Sequence, residues 1–454
     1  MNPATNPVTN SDQPEPATAL PAASRRLPLP PGPRAPMAVQ SVLYGTQRHR
    51  LLPALHRHYG PMVRLRLFPE RSAVSLSDPD DVRAVFSGPV TTYHAGEGNM
   101  ILKPVMGPHS VLTTDEDEHR RIRKLLMPPF AGAALRGYRD MIAELAAEEV
   151  ERWPRNVPFA SHLSMQRLTL EVILRVVFGF GDGPRLTALR HALRGVMDIG
   201  SLDVFGWHSP TLQRFGRWRR GKEQLEAVDA LLYAEIAERR GASDLADRND
   251  VLSRLLAVEI DGDTLTDVEL RDQLVTLLLA GHETTATALA WAFHELARNP
   301  RTHAEATRAA DSGHDGYLEA VTKESMRLHP VITEVARTTT EPVELGGYHI
   351  PARTTVMPAI GVIHGDGAHH DLPDVFRPER FTGEGTPSST WLPFGGGVRR
   401  CLGAGFALVE AVEILRAALT RYRLTPDRPR AERVRPRHIT LVPARGARVV
   451  AIPR

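Results

Sequence analysis

The chain has 454 residues, of which 42% are hydrophobic and 24% charged, and its formal net charge is +3. These fractions are typical of a soluble globular protein, and the length allows two or three ordinary domains or one large one. No run approaches the roughly 18 consecutive apolar residues of a membrane helix. We therefore expect neither a membrane span nor a nucleic-acid partner.

Cysteine usage restricts the chemistry further, because Cys401 is the only cysteine. A single thiol excludes an intrachain disulfide framework, and it excludes any zinc or iron–sulfur site built only from cysteines of one chain. Taken alone, a free cysteine is more often a small buried hydrophobe than a reactive group. Whether Cys401 packs or reacts therefore depends on the residues around it.

Residues 1–30 are rich in Pro, Ala, Asn, Ser and Thr without a periodic apolar pattern, which predicts a disordered tail. This tail lacks the basic start and apolar stretch of a secretory signal, and we expect a cytoplasmic protein. Residues 31–454 are expected to form a single domain. Its first strands are predicted at Val63–Leu67 and Ala73–Leu76.

From about residue 116 to residue 298 the pattern is mostly helical. The best-defined helix follows Thr266, which forms a capping box with Glu269, and it ends at Asn299-Pro300. About 32 residues at 1.5 Å each span roughly 48 Å, which is enough to cross a whole domain.

Shorter elements follow the long helix. A helix is predicted from about Gly316 to His329, where Pro330 ends it. Strand-like segments come next, at Val343–Leu345, Tyr348–Ile350 and Thr355–Met357. A loop rich in Gly and Pro then leads through Cys401 into an amphipathic helix that ends near Tyr422. We therefore predict a mainly α fold with small β-sheets and one long spanning helix.

The loop that holds the cysteine reads Phe394-Gly395-Gly396-Gly397-Val398-Arg399-Arg400-Cys401-Leu402-Gly403. Three consecutive glycines allow tight turns and a close approach of the backbone to a ligand. The predicted helix N-terminus and the two arginines should favour a thiolate at Cys401. The loop does not fit the Gly-x-Gly-x-x-Gly pattern of a dinucleotide site. A cysteine hydrolase would need a histidine base, which could come only from a distant part of the sequence.

A second constellation lies within the long helix, at Ala280-Gly281-His282-Glu283-Thr284-Thr285. Leu277, Ala280, Gly281 and Thr284 share one helix face, and its small centre would let a flat cofactor approach the backbone. A buried acid next to an alcohol is costly without a purpose. A helix crossing with Thr284 bonded to the preceding turn is equally compatible with these residues. A zinc site of the His-Glu-x-x-His type is excluded, because position 286 is alanine.

The third motif is Glu324-Ser325-Met326-Arg327, followed by Phe376-Arg377-Pro378-Glu379-Arg380-Phe381. Alone, an acid and an arginine three residues apart are usually an exposed pair of small energetic value. Taken together in their order along the chain, the three motifs resemble those of the cytochrome P450 haem-thiolate monooxygenases. The signature Phe-x-x-Gly-x-Arg-x-Cys-x-Gly is matched at every fixed position between Phe394 and Gly403.

The resemblance runs from about Pro31 to the C-terminus and implies a bacterial-type P450 fold with heme b (iron protoporphyrin IX). It also implies a monooxygenase that uses dioxygen to hydroxylate or epoxidise an apolar small molecule, in secondary metabolism. Cys401 would be the iron ligand, since an anionic sulfur favours O–O cleavage. Thr284 would hydrogen-bond dioxygen, and Glu283 would relay protons as a general acid.

Further roles are implied by the same resemblance. Glu324, Arg327 and Arg380 would form a buried network that is structural rather than catalytic. The residues expected to contact the haem or its propionates are His119, Arg123, Ala280, Gly281, Arg337, Phe394, Arg399, Cys401 and Gly403. The substrate pocket is expected around residues 100–106, 197–207, 277–281 and 331–335. One departure is His364-Gly365-Asp366-Gly367, where the family commonly has Arg-Asp-Pro, so the resemblance does not predict the geometry of this turn.

Electrons must come from another protein, because the chain has no flavin or iron–sulfur motif. Residues 395–454 contain 13 arginines and four acids, so a basic face near Cys401 could steer an acidic ferredoxin or flavodoxin. General arginine enrichment explains the same count equally well. A haem-thiolate sensor would not need Glu283 and Thr284, a peroxide-driven enzyme usually lacks that pair, and a cysteine hydrolase would bind no haem.

Overall fold

The computed structural model describes residues 27–68, 72–179, 183–197, 209, 211–383 and 389–454. Helices dominate this part of the chain. In order they are α1 (Met37–Tyr59), α2 (Pro79–Ser87), α3 (Ala95–Gly98), α4 (Lys103–Met106), α5 (Glu116–Leu126), α6 (Gly132–Glu151), α7 (Ser161–Phe178), α8 (Pro184–Met197), α9 (Gly216–Arg240), α10 (Val251–Ala257), α11 (Asp267–Arg298), α12 (Pro300–Ser312), α13 (Asp315–Leu328), α14 (Ile360–His364) and α15 (Ala404–Arg421).

In the described ranges the strands are short and form four small sheets. They are β1 (Met62–Leu65), β2 (Ala73–Leu76), β3 (Tyr93–His94), β4 (Pro158–Ala160), β5 (Arg337–Thr339), β6 (Val343–Leu345), β7 (Tyr348–Ile350), β8 (Thr355–Pro358), β9 (Tyr422–Pro426), β10 (Val434–Arg437), β11 (Thr440–Pro443) and β12 (Arg448–Pro453). The largest sheet has the order β1-β2-β8-β5-β3, and only β2 and β8 are parallel. The others are β4-β12-β9, β6-β7 and β10-β11.

The long helix α11 confirms the prediction from the capping signals. It runs from Asp267 to Arg298, and Thr266 and Glu269 form the expected capping box. Most of its side chains are buried, and α7 packs along it. Because α11 crosses the core, it can carry functional side chains to the centre of the molecule.

Other predicted elements differ from the structure by a few residues at most. The helix predicted at 316–329 is α13, and the helix expected after Cys401 is α15, which gives way to strand β9 at Tyr422. The predicted tail lies outside the described residues except for 27–30. Within the described ranges, no helix has both the length and the apolar character of a membrane span.

Candidate functional site

The cysteine loop takes a shape that requires its glycines. Gly395 and Gly397 have φ values of 65° and 62°, a region that favours glycine. A Cβ at Gly397 would lie 1.9 Å from the carbonyl oxygen of Phe86 in α2, and one at Gly396 would lie 2.5 Å from the Phe86 ring. The backbone N–H of Cys401 donates to the carbonyl of Phe394 at 2.9 Å. The loop is thereby folded tightly against α2 and returns on itself at the cysteine.

Cys401 is exposed, although it is surrounded by protein. Burial is the largest influence on its thiol and raises the pKa, whereas the N–H of Gly403, Arg123 and Arg400 act in the opposite direction. Gly403 and Arg400 favour the thiolate as expected, but loss of hydration outweighs them in the protein without a bound cation. From its accessibility and its desolvation we infer that Cys401 lines an internal space.

Accessible residues also occur in the middle of α11. Ala280 is exposed there, and Leu277, Gly281 and Thr284 are partly exposed, while residues 270–276 and 285–294 are buried. We call Leu277, Ala280, Gly281 and Thr284 the α11 stripe. The accessibility of Ala280 between buried stretches of the same helix indicates open space on that side, although a Cβ at Gly281 would lie 3.3 Å from Ile173 in α7. We infer that the stripe lines an interior space.

The side chains of Thr284, in the stripe, and Glu283, next to it in the chain, have different surroundings. The Thr284 hydroxyl donates to the carbonyl of Ala280 at 2.7 Å, which is the bond to the preceding turn that the sequence allowed. The Glu283 carboxylate accepts from Gln166 Nε2 at 2.6 Å and from Arg437 at 3.1 Å, and His162 lies 3.7 Å away. Thr284 thus faces the cavity, and Glu283 belongs to a polar cluster beside it. Neither Gln166 nor Arg437 carried a signal in the sequence.

Four bases converge near the cysteine loop. His119 and Arg123 lie one turn apart on α5, Arg337 opens β5, and Arg399 precedes the cysteine. Burial and the charges of the three arginines lower the pKa of His119 to about 3. Burial and the nearby Arg399 lower the pKa of Arg337 to about 10. We call these four residues the basic cluster, and its members repel one another because little negative charge lies among them.

The carboxylate that does reach the basic cluster is Asp115, which was not predicted. Arg399 donates to Asp115 at 2.7 Å and to the carbonyls of Val111 and Thr114. Asp115 also accepts from the backbone N–H groups of residues 96 and 97, so it is already shared. Among the described residues, no carboxylate pairs with Arg337, whose guanidinium donates to the carbonyl of Ala336. A dianionic ligand would satisfy this arrangement.

The buried network predicted for the third motif is confirmed. Arg327 donates to both oxygens of Glu324 at 2.7 and 2.8 Å, and Arg380 lies 3.2 Å from the same carboxylate. The backbone N–H of Arg377 adds a further bond at 2.9 Å. His364, at the departure from the family pattern, accepts from the N–H of Leu392 at 2.9 Å. These bonds hold α13 and the segment before the cysteine loop together.

The predicted haem fits these residues. The exposed Cys401 thiol offers one metal ligand, the α11 stripe leaves room beside a helix, and the basic cluster offers guanidinium groups for two propionates. Phe394 packs its ring against Trp391 at 5.9 Å, and Arg400 lies 6.0 Å from the Phe394 ring. Of the predicted pocket segments, residues 198–207 lie outside the described residues. Met100 and most residues of 331–335 are at least partly exposed.

Comparisons with known proteins agree with this geometry. A family model described as Cytochrome P450 matches residues 29–449. Cytochrome P450 135A1 of Mycobacterium tuberculosis is 48% identical over 430 residues, which are 94% of this chain and 96% of the relative. Cytochrome P450 135B1 of Mycobacterium bovis is 44% identical over 428 residues, 93% of this chain and 91% of the relative.

Two solved structures share the fold. A cyanobacterial CYP120A1 with bound retinoic acid has a TM-score of 0.82 at 23% identity, covering 94% of this chain and 100% of its own. The heme domain of cytochrome P450DA has a TM-score of 0.82 at 24% identity, covering 95% of this chain and 98% of its own. At these identities the likeness concerns the fold alone.

Proposed function

The chain belongs to the cytochrome P450 family, so it is a monooxygenase whose cofactor is heme b, and we propose that Cys401 is its iron ligand. The substrate we propose is an apolar small molecule of secondary metabolism, which the enzyme hydroxylates or epoxidises. One observation carries the assignment of Cys401: its thiol is exposed and yet desolvated by the surrounding protein. A thiolate-ligated haem supplies dioxygen activation when it is bound.

The pKa of the Cys401 thiol supports this role once the charge of the metal is considered. Burial raises that pKa in the protein, so the site would hold a thiol unless a cation is close. A metal ion is commonly the largest local charge in a site, and it deprotonates a coordinating thiol. The cavity wall thus favours a bound cation over a free thiolate, and an unbound cysteine there would be a poor nucleophile for a hydrolase.

We assign the haem propionates to the basic cluster, His119, Arg123, Arg337 and Arg399. Arg337 is the strongest candidate, because it is buried and pairs with no carboxylate in the described ranges. Guanidinium groups bind carboxylates through paired hydrogen bonds, and these bonds are stronger away from water. Ala280, Gly281, Phe394 and Gly403 are assigned to contact with the haem, because they are small or planar and lie on the stripe or in the cysteine loop.

Thr284 and Glu283 are assigned to oxygen binding and proton delivery. The Thr284 hydroxyl donates its hydrogen bond to the carbonyl of Ala280. Its oxygen lone pairs are therefore left to accept a hydrogen bond from a donor in the cavity. Glu283 lies one residue away, in contact with Arg437, which is one-quarter exposed. A carboxylate between a partly exposed cation and a cavity can take up a proton from the solvent side and release it inward.

The electron donor that we propose is a small acidic ferredoxin or flavodoxin. Arg400 supports this choice because it is exposed next to Cys401. The arginine excess of residues 395–454 is weaker support than its count suggests, because many of those arginines pair with carboxylates, among them Arg416, Arg448 and Arg454. Replacing Arg400 with Glu should slow reduction by such a donor and reduce the salt dependence of the rate.

The single domain over residues 31–454, the disordered tail over 1–30 and the cytoplasmic location stay predictions. Limited proteolysis of the full chain tests the first two together. Cleavage restricted to the first 30 residues, with the haem retained on the remaining fragment, is the expected result. Early cleavage at several sites within 31–454 would argue for more than one folded unit.

The central experiment is the carbon monoxide difference spectrum of the reduced protein. The wild-type chain should give the strongly red-shifted Soret band of a thiolate-ligated haem, and Cys401→Ser should lose it. Arg83→Ala, which removes a side chain that is 63% exposed, is the control and should keep the band. A wild-type spectrum without this band, or a Cys401→Ser variant that retains it, would overturn the assignment of Cys401.

A further inference from the structure

The loop between α4 and α5, residues 107–115, has neither helix nor strand, and side chains of α11 bind its backbone. The Gln273 amide accepts from the N–H of Val111 at 3.0 Å and donates to the carbonyl of His109 at 2.5 Å. Asp272 accepts from the N–H of His109 at 2.9 Å. Both side chains of α11 are buried. The start of α11 thus supplies backbone hydrogen bonds that the loop does not form within itself.

The loop and α11 are in close contact at two further places. Gly107 has a φ of 87°, and a Cβ there would lie 2.0 Å from Oδ1 of Asp272, so only glycine fits. The hydroxyls of Ser110 and Thr276 lie 2.7 Å apart, and both residues are buried. We call Asp272, Gln273 and Thr276 the α11 clamp. A shift of the loop along α11 would break several buried hydrogen bonds at once, so the clamp holds it in one place.

The same loop holds the side chain of Arg399 from the cysteine loop. Its guanidinium donates to the carbonyl of Val111 at 3.1 Å and to the carbonyl of Thr114 at 2.6 Å. It also donates to the Asp115 carboxylate at 2.7 Å. Val111 is therefore bound twice, at its N–H by Gln273 and at its carbonyl by Arg399. A guanidinium has more N–H donors than these contacts use, so Arg399 is oriented by the loop and can still bind a ligand.

Gln273 also has a fixed relation to the α11 stripe. It precedes Leu277 by four residues and Thr284 by eleven, so all three lie on one face of the helix. A helix sets the distance between its own residues. One rigid element therefore lines the interior space with its stripe and, through Gln273, fixes the loop that orients Arg399.

We propose that Gln273 is a positioning residue for the haem propionates, because it holds Val111 and so orients Arg399 relative to the α11 stripe. The proposal rests on the proposed function in one respect, namely that Arg399 binds a propionate. A guanidinium that is already oriented loses less conformational freedom when it binds a carboxylate, which strengthens binding. An apolar side chain at position 273 would fill the same volume but leave the N–H of Val111 without this partner.

The first measurement is hydrogen–deuterium exchange of peptides that cover residues 107–115, followed by mass spectrometry of the full chain. Gln273→Met keeps the size of the side chain and removes both amide bonds, and Gln273→Asn is a milder variant that keeps the amide but shortens its reach. Both should speed exchange in the loop, Gln273→Met more than Gln273→Asn. Exchange that is unchanged in both variants would show that Gln273 does not hold the loop and would overturn the proposal.

The second measurement is the rate of haem transfer to an excess of apomyoglobin. Gln273→Met should speed haem loss on the order of tenfold, which is part of the value of one charge-assisted hydrogen bond. Thr276→Val is the matched control, because it removes one side-chain bond to the same loop and leaves Gln273 and Val111 paired. Its rate should stay within about twofold of wild type. Equal rates for Thr276→Val and Gln273→Met would indicate general loosening of the loop and overturn the proposal.

A double-mutant cycle tests whether Gln273 acts through Arg399. In an Arg399→Gln background, Gln273→Met should hardly change the rate of haem loss, because the group that it positions is already gone. The same acceleration in both backgrounds would assign Gln273 to the scaffold and overturn the positioning role. If haem loss is unchanged in Gln273→Met while wild type shows the thiolate-type carbon monoxide spectrum, the positioning role fails and the proposed function stands. Absence of that spectrum in wild type would remove the proposed function, and the positioning role with it.

Discussion

Two groups of basic side chains in this protein, one around Glu324 and the other near the cysteine loop, are built in opposite ways. In the first, Arg327 and Arg380 converge on Glu324, whose carboxylate is also bound by a backbone N–H. In the second, the basic cluster, Arg337 pairs with no carboxylate in the described ranges and Arg399 shares Asp115 with two backbone N–H groups. In the first group every arginine meets a carboxylate, whereas in the second Arg337 meets none among the described residues.

This difference distinguishes scaffolding from a binding site. A buried charge that is fully paired has no capacity left for a ligand, and its loss is felt by the fold. A buried charge without a partner destabilises the protein by itself, so a ligand of opposite charge is the natural completion. The lowered pKa values of Arg337 and His119, to about 10 and about 3, are the electrostatic sign of that incompleteness.

The largest effect is expected in the paired group. Arg327→Ala leaves the Glu324 carboxylate buried with Arg380 alone, and it should lower the free energy of unfolding by about 3–5 kcal/mol. Chemical denaturation of the purified protein measures this change. Arg377→Ala is the control, because Arg377 binds Glu324 through its backbone and its side chain is 40% exposed. A loss for Arg377→Ala equal to that for Arg327→Ala would break the comparison.

Glu410, a buried acid of α15, extends the comparison to an acid without an ion-pair partner in the described part of the chain. Its effect appears in the pH dependence of stability. Its pKa is about 8 in the folded protein against a model value of 4.5, so the unfolded chain releases this proton first as pH rises. The contribution of Glu410 to stability should therefore fall between about pH 4.5 and pH 8, by at most about 1.4 kcal/mol for each pH unit. Glu410→Gln should lack this slope, so its stability relative to wild type should improve across the interval. Parallel curves for the two proteins would mean that Glu410 is ionised in the fold.

The next effect concerns Arg337, which meets no carboxylate in the described ranges. Its replacement should affect haem retention and the stability of the haem-free protein differently. Arg337→Ala should weaken haem retention on the order of 10–100-fold, the equivalent of one charge-assisted hydrogen bond. Transfer of haem to an excess of apomyoglobin measures this loss. The haem-free variant should be at least as stable as haem-free wild type, because an uncompensated buried charge is removed. Destabilisation of the haem-free variant by several kcal/mol would place Arg337 with the scaffold.

The smallest effect is expected for an exposed pair. Arg83 and Asp80 in α2 lie 2.6 Å apart with both side chains mostly exposed. Arg83→Ala should change the free energy of unfolding by less than about 0.5 kcal/mol, and less still in high salt. Thermal unfolding at two salt concentrations provides the measurement. An effect comparable to that of Arg327→Ala would remove burial as the reason for the difference between the groups.

Local patterns predicted much of this protein. The limits of α11 follow from Thr266, Glu269 and Asn299-Pro300 because capping acts over a few residues, and the structure agrees with them. The face shared by Ala280, Gly281 and Thr284 follows from helical spacing alone. The partners of these residues could not be predicted in the same way. Asp115 meets Arg399 across 284 residues of sequence, and Arg437 meets Glu283 across 154.

The sequence by itself determined the chemistry of the chain: one thiol in a glycine loop, an acid and an alcohol in a long capped helix, and the order of the motifs that relates it to its family. These features are local or linear, so they can be read without coordinates. Only the tertiary structure decided which charges lack a partner. The spacing of Glu324 and Arg327 indicated one pair, but nothing in the chain near Arg337 indicated that it meets no carboxylate among the described residues. Pairing and desolvation depend on everything that surrounds a group in space, and no neighbouring residue in the chain encodes them.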